Sequence, residues 1–228
     1  MQMQFTRLMG AVLVAVALGT AATAVPALAQ EITVAEKLLF LSKHFEDTKE
    51  SKLTYTYRRE GEDPESFSDE VSLDILEHHP DGTVSVTAHF LTGPRQVSLP
   101  TLEQAEGNPV ILGFLERDIL QMKRATGGST GYFRKRIRLA LASPDLPVTD
   151  IKVKYGGHEV AAQKIAIHPY ERDPLRERFG KYADKTYIFV LSNAVPGSLY
   201  SMYTTIKDAD TKETVDTSLT ITGGETAK

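Results

Sequence analysis

The spacing of apolar residues along the chain predicts first a helix and then a series of strands. Thr33 and Glu36 have the spacing of a capping box, and apolar residues then recur every three or four positions over 34–46. We therefore predict an amphipathic helix there, which needs a larger element to dock on because it is short. Its predicted inner face is formed by Val34, Leu38, Leu41 and Phe45, and Leu39 and Phe40 widen it.

Apolar and polar residues alternate in three runs after this helix, at 53–57, 71–75 and 84–90. The sequence Pro-Asp-Gly at 80–82 separates the last two runs, and these residue types favour a tight turn. The pattern predicts an antiparallel hairpin with a further strand beside it.

A helical period returns after a stretch rich in Gly and Pro at 92–108, which we interpret as a loop. Asn108 is a suitable N-cap, and Pro109 suits the first helical position. The helical insertion is predicted at about 109–142, interrupted by a glycine cluster at 127–131 that is a candidate hinge.

The rest of the chain returns to strand patterns. The charged stretch 171–184 predicts a loop with a short helix, and the dense β-prone run 186–191 predicts a central strand. The other predicted strands are 151–155, 160–167, 199–206 and 215–221.

Short turns join most of these strands, which favours an antiparallel sheet and the α+β class. We predict a curved, half-barrel-like sheet packed around the N-terminal helix and the helical insertion. The prediction is a single domain over 30–222, with a flexible tail at 223–228.

The first 29 residues have the features of an export signal. Arg7 precedes an apolar run at 8–18, and Ala27-Leu28-Ala29 has the A-x-A pattern of a cleavage site. The run is shorter than the about 20 apolar residues of a membrane anchor. We predict a signal peptide cleaved after Ala29 and a periplasmic protein, with secretion into the medium as an alternative.

Composition narrows the function classes. The 228 residues carry a net charge of −4 and include no Cys. The sequence therefore offers no disulfide, no thiolate ligand for zinc and no lipidated Cys after the leader. A mildly acidic chain is a poor candidate for nucleic-acid binding. The mature chain has no second long apolar run, so we predict no membrane span in it.

No catalytic or cofactor motif is evident. The glycine cluster lacks the Lys of a phosphate-binding loop, and no H-E-x-x-H sequence occurs. Its residues 127–131 read G-x-S-x-G, but a predicted helix precedes them, whereas a nucleophile elbow follows a strand. His78 and His79 are adjacent, so on a strand they point to opposite faces. We expect no catalytic residue, no cofactor and no metal.

Two groups of residues are candidates for ligand contacts. Aromatic side chains on predicted elements would line an apolar cavity, although core packing also explains them. These cavity candidates are Tyr55, Tyr57, Phe90, Phe114, Tyr187, Phe189 and Tyr203. Arg134, Arg136 and Arg138 are candidates for holding an anionic group; the alternative is ion pairing with Glu116 and Asp118.

The order of elements resembles that of the outer-membrane lipoprotein carriers and related periplasmic lipid-binding proteins. The resemblance covers most of 33–221 and rests on element order, the export leader and the absence of Cys. It implies a half-open β-barrel whose apolar hollow carries acyl chains. It assigns no individual residue, because no sequence motif accompanies it, and the charged stretch 171–184 departs from that layout.

These observations favour a non-enzymatic binding or carrier protein for an apolar or amphiphilic, lipid-like ligand. The first alternative is an envelope module that binds another protein through a sheet edge or charged loops and takes no ligand. The second is a hydrolase whose catalytic residues are dispersed in the sequence.

Overall fold

One open antiparallel sheet organises the computed structural model, which describes residues 31–60, 66–207 and 213–225. The predicted cleavage site after Ala29 and residues 226–228 lie outside the described residues. The strands of this part of the chain are β1 (Lys52–Arg59), β2 (Phe67–His78), β3 (Val84–Phe90), β4 (Val97–Ser98), β5 (Leu102–Ala105), β6 (Val148–Tyr155), β7 (His158–Ile167), β8 (Thr186–Leu191), β9 (Leu199–Lys207) and β10 (Glu213–Glu225).

The sheet has the order β4-β3-β2-β1-β10-β9-β8-β7-β6, and β5 also pairs with β3. Every pairing is antiparallel. The two halves of the chain meet where β1 pairs with β10, so the first and last strands lie at the centre. Among the described strands, β6 is the terminal one on its side and pairs with β7 alone.

Helical segments accompany the sheet. The two longest are α2 and α3, which form the predicted insertion and contact each other. The helices are α1 (Val34–Glu36), which continues as a π-helical turn (Lys37–Leu41), α2 (Pro109–Thr126) and α3 (Thr130–Leu141), with short 3-10 turns at Gly93–Arg95 and Arg176–Tyr182.

Local sequence explains the ends of α2 and α3. The Asn108 side chain accepts a hydrogen bond from the Val110 amide, and Gly127 ends α2 with φ of 72°. The Ser129 side chain then accepts from the Tyr132 amide and starts α3. Glycine tolerates this left-handed conformation without strain, so the chain reverses between the helices within a few residues.

The N-terminal helix differs from the prediction. The capping box between Thr33 and Glu36 is present, but regular helix ends at Glu36 and a π-helical turn follows. The different turn pitch moves part of the buried face: Val34 and Leu41 are 62% and 50% exposed and Ala35 is buried instead, while Leu39 is buried as predicted. The predicted inner face is therefore wrong at Val34 and Leu41.

The main core lies between the helices and one face of the sheet, which we call the inner face. Leu53, Tyr55 and Tyr57 alternate along β1 and are buried there, as are Phe114 and Ile119 from α2. β8 is buried on both faces, because a smaller apolar cluster around Ile188 and Val190 covers its other side. The prediction of 186–191 as a strand is confirmed, and β8 lies inside the sheet between β7 and β9, although the centre of the sheet is formed by β1 and β10.

Two other segments depart from the predicted layout. The expected loop at 92–108 contains β4 and β5, which extend the sheet beyond β3. β10 continues to Glu225, past the residue where a flexible tail was predicted to begin.

The α+β class and the curved antiparallel sheet packed with helices are confirmed. In the described ranges no helix is both long enough and apolar enough to cross a membrane.

Candidate functional site

A groove of about 1300 Å³ lies beside the terminal strand β6. One wall is the irregular segment 42–50, which follows the π-helical turn, and the opposite side is built by β6, β7 and the turn between β8 and β9. The segment has no hydrophobic period, so no sequence pattern predicts that it forms a wall.

The lining of the groove combines apolar surface with charges of both signs. Its apolar contacts include Leu38, Ile151, Ala161, Leu191 and Val195. The charged side chains are Lys43, Glu46, Asp47, Lys49, Glu50, Asp150 and Lys152. Such a surface can accommodate a molecule that has both an apolar part and a polar or zwitterionic part.

His44 is a buried lining residue that joins the groove wall to α2. Its Nδ1 lies 2.9 Å from the Asn108 amide nitrogen, and its Nε2 lies 2.7 Å from the Leu38 carbonyl oxygen. An amide can only donate and a carbonyl can only accept, so Nδ1 accepts and Nε2 carries the proton. Burial lowers the pKa of His44, although the Leu38 carbonyl acts in the opposite direction.

Asn108 extends this network into the core. Its side-chain amide donates to the Tyr55 hydroxyl and to the Gly197 carbonyl, both at 2.9 Å, and its side-chain oxygen caps α2. Burial is the main cause that raises the pKa of Tyr55, so this hydroxyl remains neutral. The start of α2, β1 and the turn after β8 are thus held by one buried residue.

The aromatic cavity candidates lie away from the groove. Tyr55, Tyr57, Phe90, Phe114, Tyr187 and Phe189 are buried in the main core, and Tyr203 lies against the smaller cluster on the other face. None of the seven lines the groove. In this structure, protein side chains fill the space around them.

Phe90 illustrates how closely the helices cover the sheet. Its ring lies so near Gly113 of α2 that a Cβ at that position would overlap it. Tyr57 contacts the rings of Phe67 and Phe114, with centroids 5.8 and 6.3 Å apart. A ligand could reach these aromatics only if α2 moved away from the sheet.

The three candidate arginines have different surroundings. Arg134 forms a two-point contact with Glu116, with both N–O distances at 2.7 Å, as the ion-pair alternative predicted. Arg136 Nε lies 2.6 Å from Asp173, whose side chain is fully buried and also accepts from the Tyr132 hydroxyl. Arg138 is exposed on α3. The three side chains therefore do not form one anion site here.

A buried ionic cluster connects α2 to the sheet. Lys185, at the start of β8, lies 2.5 Å from Asp118 of α2 and 2.7 Å from Asp216 of β10. The three side chains are 0%, 2% and 5% exposed. The alternative that paired Asp118 with a surface arginine is wrong, since this carboxylate points inward.

Further donors complete the cluster. The Tyr187 hydroxyl donates to Asp118 at 2.6 Å and lies 3.0 Å from the Tyr170 hydroxyl. Gln121 donates to Asp216 at 3.4 Å. Burial acts to lower the pKa of Lys185, but the two carboxylates outweigh it and raise that pKa above its ordinary value. Lys185 is therefore an ammonium at neutral pH.

The cluster is placed to hold the fold together. Its five charged and hydroxyl members, Lys185, Asp118, Asp216, Tyr187 and Tyr170, line neither the groove nor the smaller pocket of about 220 Å³ near His168. A β-bulge lies between Val215 and Thr217 of β10, and it turns Asp216 inward. The cluster fixes the middle of α2 to β8 and β10.

Sequence patterns contained part of this information. Asp118 lies four residues after Phe114 and four before Met122, so it occupies the buried face of α2. A lone acid on an apolar helix face indicates a buried partner, and that signal was missed. Asp216 had no such signal, because a bulge breaks the alternation that would place it.

The remaining sequence candidates give a mixed outcome. Thr126 and Ser129 provide side-chain hydrogen bonds around the glycine cluster at 127–131, and its role as a hinge stays a prediction. Among the residues that the structure describes, no three His, Asp or Glu side chains converge as a metal site.

Comparison with family models finds no match to this chain, and no curated protein is significantly similar to it in sequence. Function must therefore be inferred from the groove and the residues around it.

Proposed function

We propose that this protein is a non-enzymatic binding or carrier protein and that an amphiphilic, lipid-like ligand binds in the groove beside β6. The observation that carries the proposal is a groove of about 1300 Å³ with apolar and charged lining. Ligand pockets typically have volumes of about 300–1000 Å³, so this groove has room for a molecule of that class.

The charges favour a ligand with a polar head. Lys43, Lys49 and Lys152 supply cations, and acidic side chains of the same lining supply the opposite sign. A zwitterionic or hydrogen-bonding head would contact both, while apolar atoms lie against Ala161 and Leu191. The aromatic core is a second compartment that such a ligand reaches only if α2 and α3 move.

Export fits this role. A signal peptide cleaved after Ala29 would release the domain into the periplasm, where amphiphiles need a protein carrier between membranes. The resemblance to lipoprotein carriers belongs to the same proposal. The buried cluster of Lys185, Asp118, Asp216, Tyr187 and Tyr170 lies in the core and lines no part of the groove, which favours binding over hydrolysis.

A dansyl-labelled fatty acid, titrated into the purified domain, tests the proposal. Ala161 is exposed on the inner face and borders the groove, so Ala161→Trp fills it. Thr149→Trp is the matched control, because Thr149 is an exposed β6 residue that does not line the groove. We expect saturable binding that Ala161→Trp weakens at least about tenfold, equivalent to about 1.4 kcal/mol, while the control leaves it unchanged.

Native mass spectrometry of the protein purified from its own envelope identifies the natural ligand. A bound amphiphile that Ala161→Trp excludes supports the proposal. Recovery of the free protein, together with no saturable probe binding, contradicts it.

The free edge of β6 favours a second candidate, an envelope module that binds another protein. In the part of the chain that the structure describes, β6 pairs with β7 alone, which leaves one side of its backbone for an added strand. Lys154→Pro would disturb strand addition at this edge without filling the groove, because the Lys154 amide points away from β7 and its side chain is exposed outside the groove lining. Loss of a cross-linked envelope partner in that variant, with probe binding intact, would favour the second candidate.

A further inference from the structure

We propose that His44 is a proton-operated catch that opens the groove: protonation breaks its hydrogen bond from Asn108 and releases segment 42–50 from the start of α2. The effect on a ligand rests on the proposed function, whereas the change in the protein does not.

The ring of His44 fits its site in one protonation state only. Nδ1 must accept from the Asn108 amide at 2.9 Å, and Nε2 must donate to the Leu38 carbonyl at 2.7 Å. In the imidazolium both nitrogens carry protons, so Nδ1–H would face the N–H of Asn108. The hydrogen bond between Asn108 and His44 is then lost, and two buried N–H donors face each other, which raises the free energy of the closed state.

The surroundings offer the imidazolium no compensating anion. In the described part of the chain the ring nitrogens bond only to main-chain atoms of Leu38 and Asn108. Tyr55, reached through Asn108, is a neutral phenol. The charged side chains of the neighbouring elements are exposed: Lys43, Glu46, Asp47 and, ahead of α2, Glu106.

The main chain of His44 transmits the change to the groove. Its amide donates to the Glu106 carbonyl at 2.9 Å, and its carbonyl accepts from the Ser198 hydroxyl at 3.2 Å. Four residues on, the Thr48 hydroxyl accepts from the Gly197 amide at 2.9 Å. The wall is therefore pinned to the start of α2 and to the turn after β8, and the ring lies between these two attachments.

The direction of the pH effect follows from burial. The folded-state pKa of His44 is lowered, so the opened state takes up a proton more readily than the closed state. The closed wall is fully stable above the ordinary histidine value of about pH 6.5, and it loses stability as pH falls from there to the folded-state pKa. Within that window its closing equilibrium weakens by up to tenfold per pH unit.

Amide hydrogen exchange tests the catch without a ligand. Protection factors of the Asn108, Val110 and Ile111 amides are compared at about pH 7.5 and about pH 5, on either side of the ordinary histidine value. In the wild type we expect protection at these amides to fall, by up to about tenfold per pH unit below 6.5, with the central strands unchanged. His44→Gln keeps one donor and one acceptor but cannot titrate, so its protection should not depend on pH.

His158→Gln is the matched control, because His158 is exposed at the turn between β6 and β7 and does not line the groove. It should retain the wild-type pH response. If His44→Gln fails to fold, NMR titration of the wild type decides: the His44 ring and the Asn108 amide should titrate together, below the ordinary histidine pKa of about 6.5. Separate titrations, or constant protection across the range, overturn the proposal.

The dansyl-labelled fatty acid then links the catch to binding. At the lower pH, wild-type affinity should fall while that of His44→Gln holds. If the probe fails to bind even at about pH 7.5, the proposed function is contradicted. The hydrogen-exchange result still shows whether protonation of His44 releases segment 42–50.

Discussion

Removing the ammonium of Lys185 should be among the most damaging single changes in this protein. Lys185→Met keeps an unbranched chain of similar length but leaves Asp118 and Asp216 without their cation. Their side chains are 2% and 5% exposed, so water cannot replace the lost partner. Removing one member of a buried ion cluster lowers the stability of a fold by about 3–5 kcal/mol.

This loss is a large part of the total free energy of unfolding of a domain. Domains are stable by about 5–15 kcal/mol. With a urea dependence of about 2 kcal/mol per molar, the loss lowers the midpoint of unfolding by about 1.5–2.5 M. The remaining donors from Tyr187 and Gln121 are neutral and cannot balance two carboxylates.

Urea unfolding followed by circular dichroism measures the effect, with Arg134→Met as the control. Arg134 and Glu116 form an ion pair of similar length, but their side chains are 55% and 48% exposed, so its loss should cost at most about 1 kcal/mol. Adding Asp118→Asn and Asp216→Asn to Lys185→Met should recover stability, because no buried charge is then unpaired. A Lys185→Met midpoint equal to that of Arg134→Met would refute the reasoning.

Three further outcomes are expected. Gly113→Ala should lower the stability of the fold by about 1–3 kcal/mol in thermal unfolding, because the Phe90 ring occupies the Cβ position; this clash outweighs the better helix propensity of Ala. Adding Phe90→Leu should relieve the clash and recover part of the lost stability. The stability that Lys185 contributes should be fully present below the ordinary lysine pKa of about 10.4 and should be lost as pH rises through the raised folded-state pKa of Lys185. Lys185→Met should not show this loss. N-terminal sequencing of the exported protein should begin at Gln30, and an intact leader would contradict cleavage after Ala29.

Periodicity predicted the parts of the fold in which one face is buried along a regular element. Asn108 and Pro109 marked the start of α2, and the dense run 186–191 marked a strand buried on both faces. These signals are local: a cap needs one side chain, and a strand needs only alternation or a continuous apolar run.

The sequence was less informative where an element departs from its regular period. A π-helical turn replaces regular helix at Lys37–Leu41, and Ala35 is buried where Val34 and Leu41 were predicted to be. The bulge of β10 buries Asp216 and Thr217 in succession, which alternation forbids. The prediction of 171–184 as a charged loop was correct in outline, but it did not anticipate that Phe179 and Asp173 are buried.

The groove could not be predicted from the sequence for a related reason. Its wall at 42–50 has no period, and its floor uses exposed positions such as Ala161 that strand patterns assign to solvent. Its link to the core depends on His44, Asn108 and Gly197, which are separated by 64 and 89 residues. Tertiary pairing of this kind leaves no local pattern.

The two attachments of α2 differ in their response to acid, and this difference limits what a drop in pH can release. At the start of the helix, Asn108 depends on a neutral His44. Ten residues on, about 15 Å along the axis, Asp118 is held by Lys185, whose raised pKa keeps it charged in acid. Mild acid should therefore loosen the groove wall and the first turn of α2 while the middle of the helix stays fixed to the sheet. The aromatic core would remain covered during that change, so a ligand released by acid leaves from the groove and not from beneath the helices.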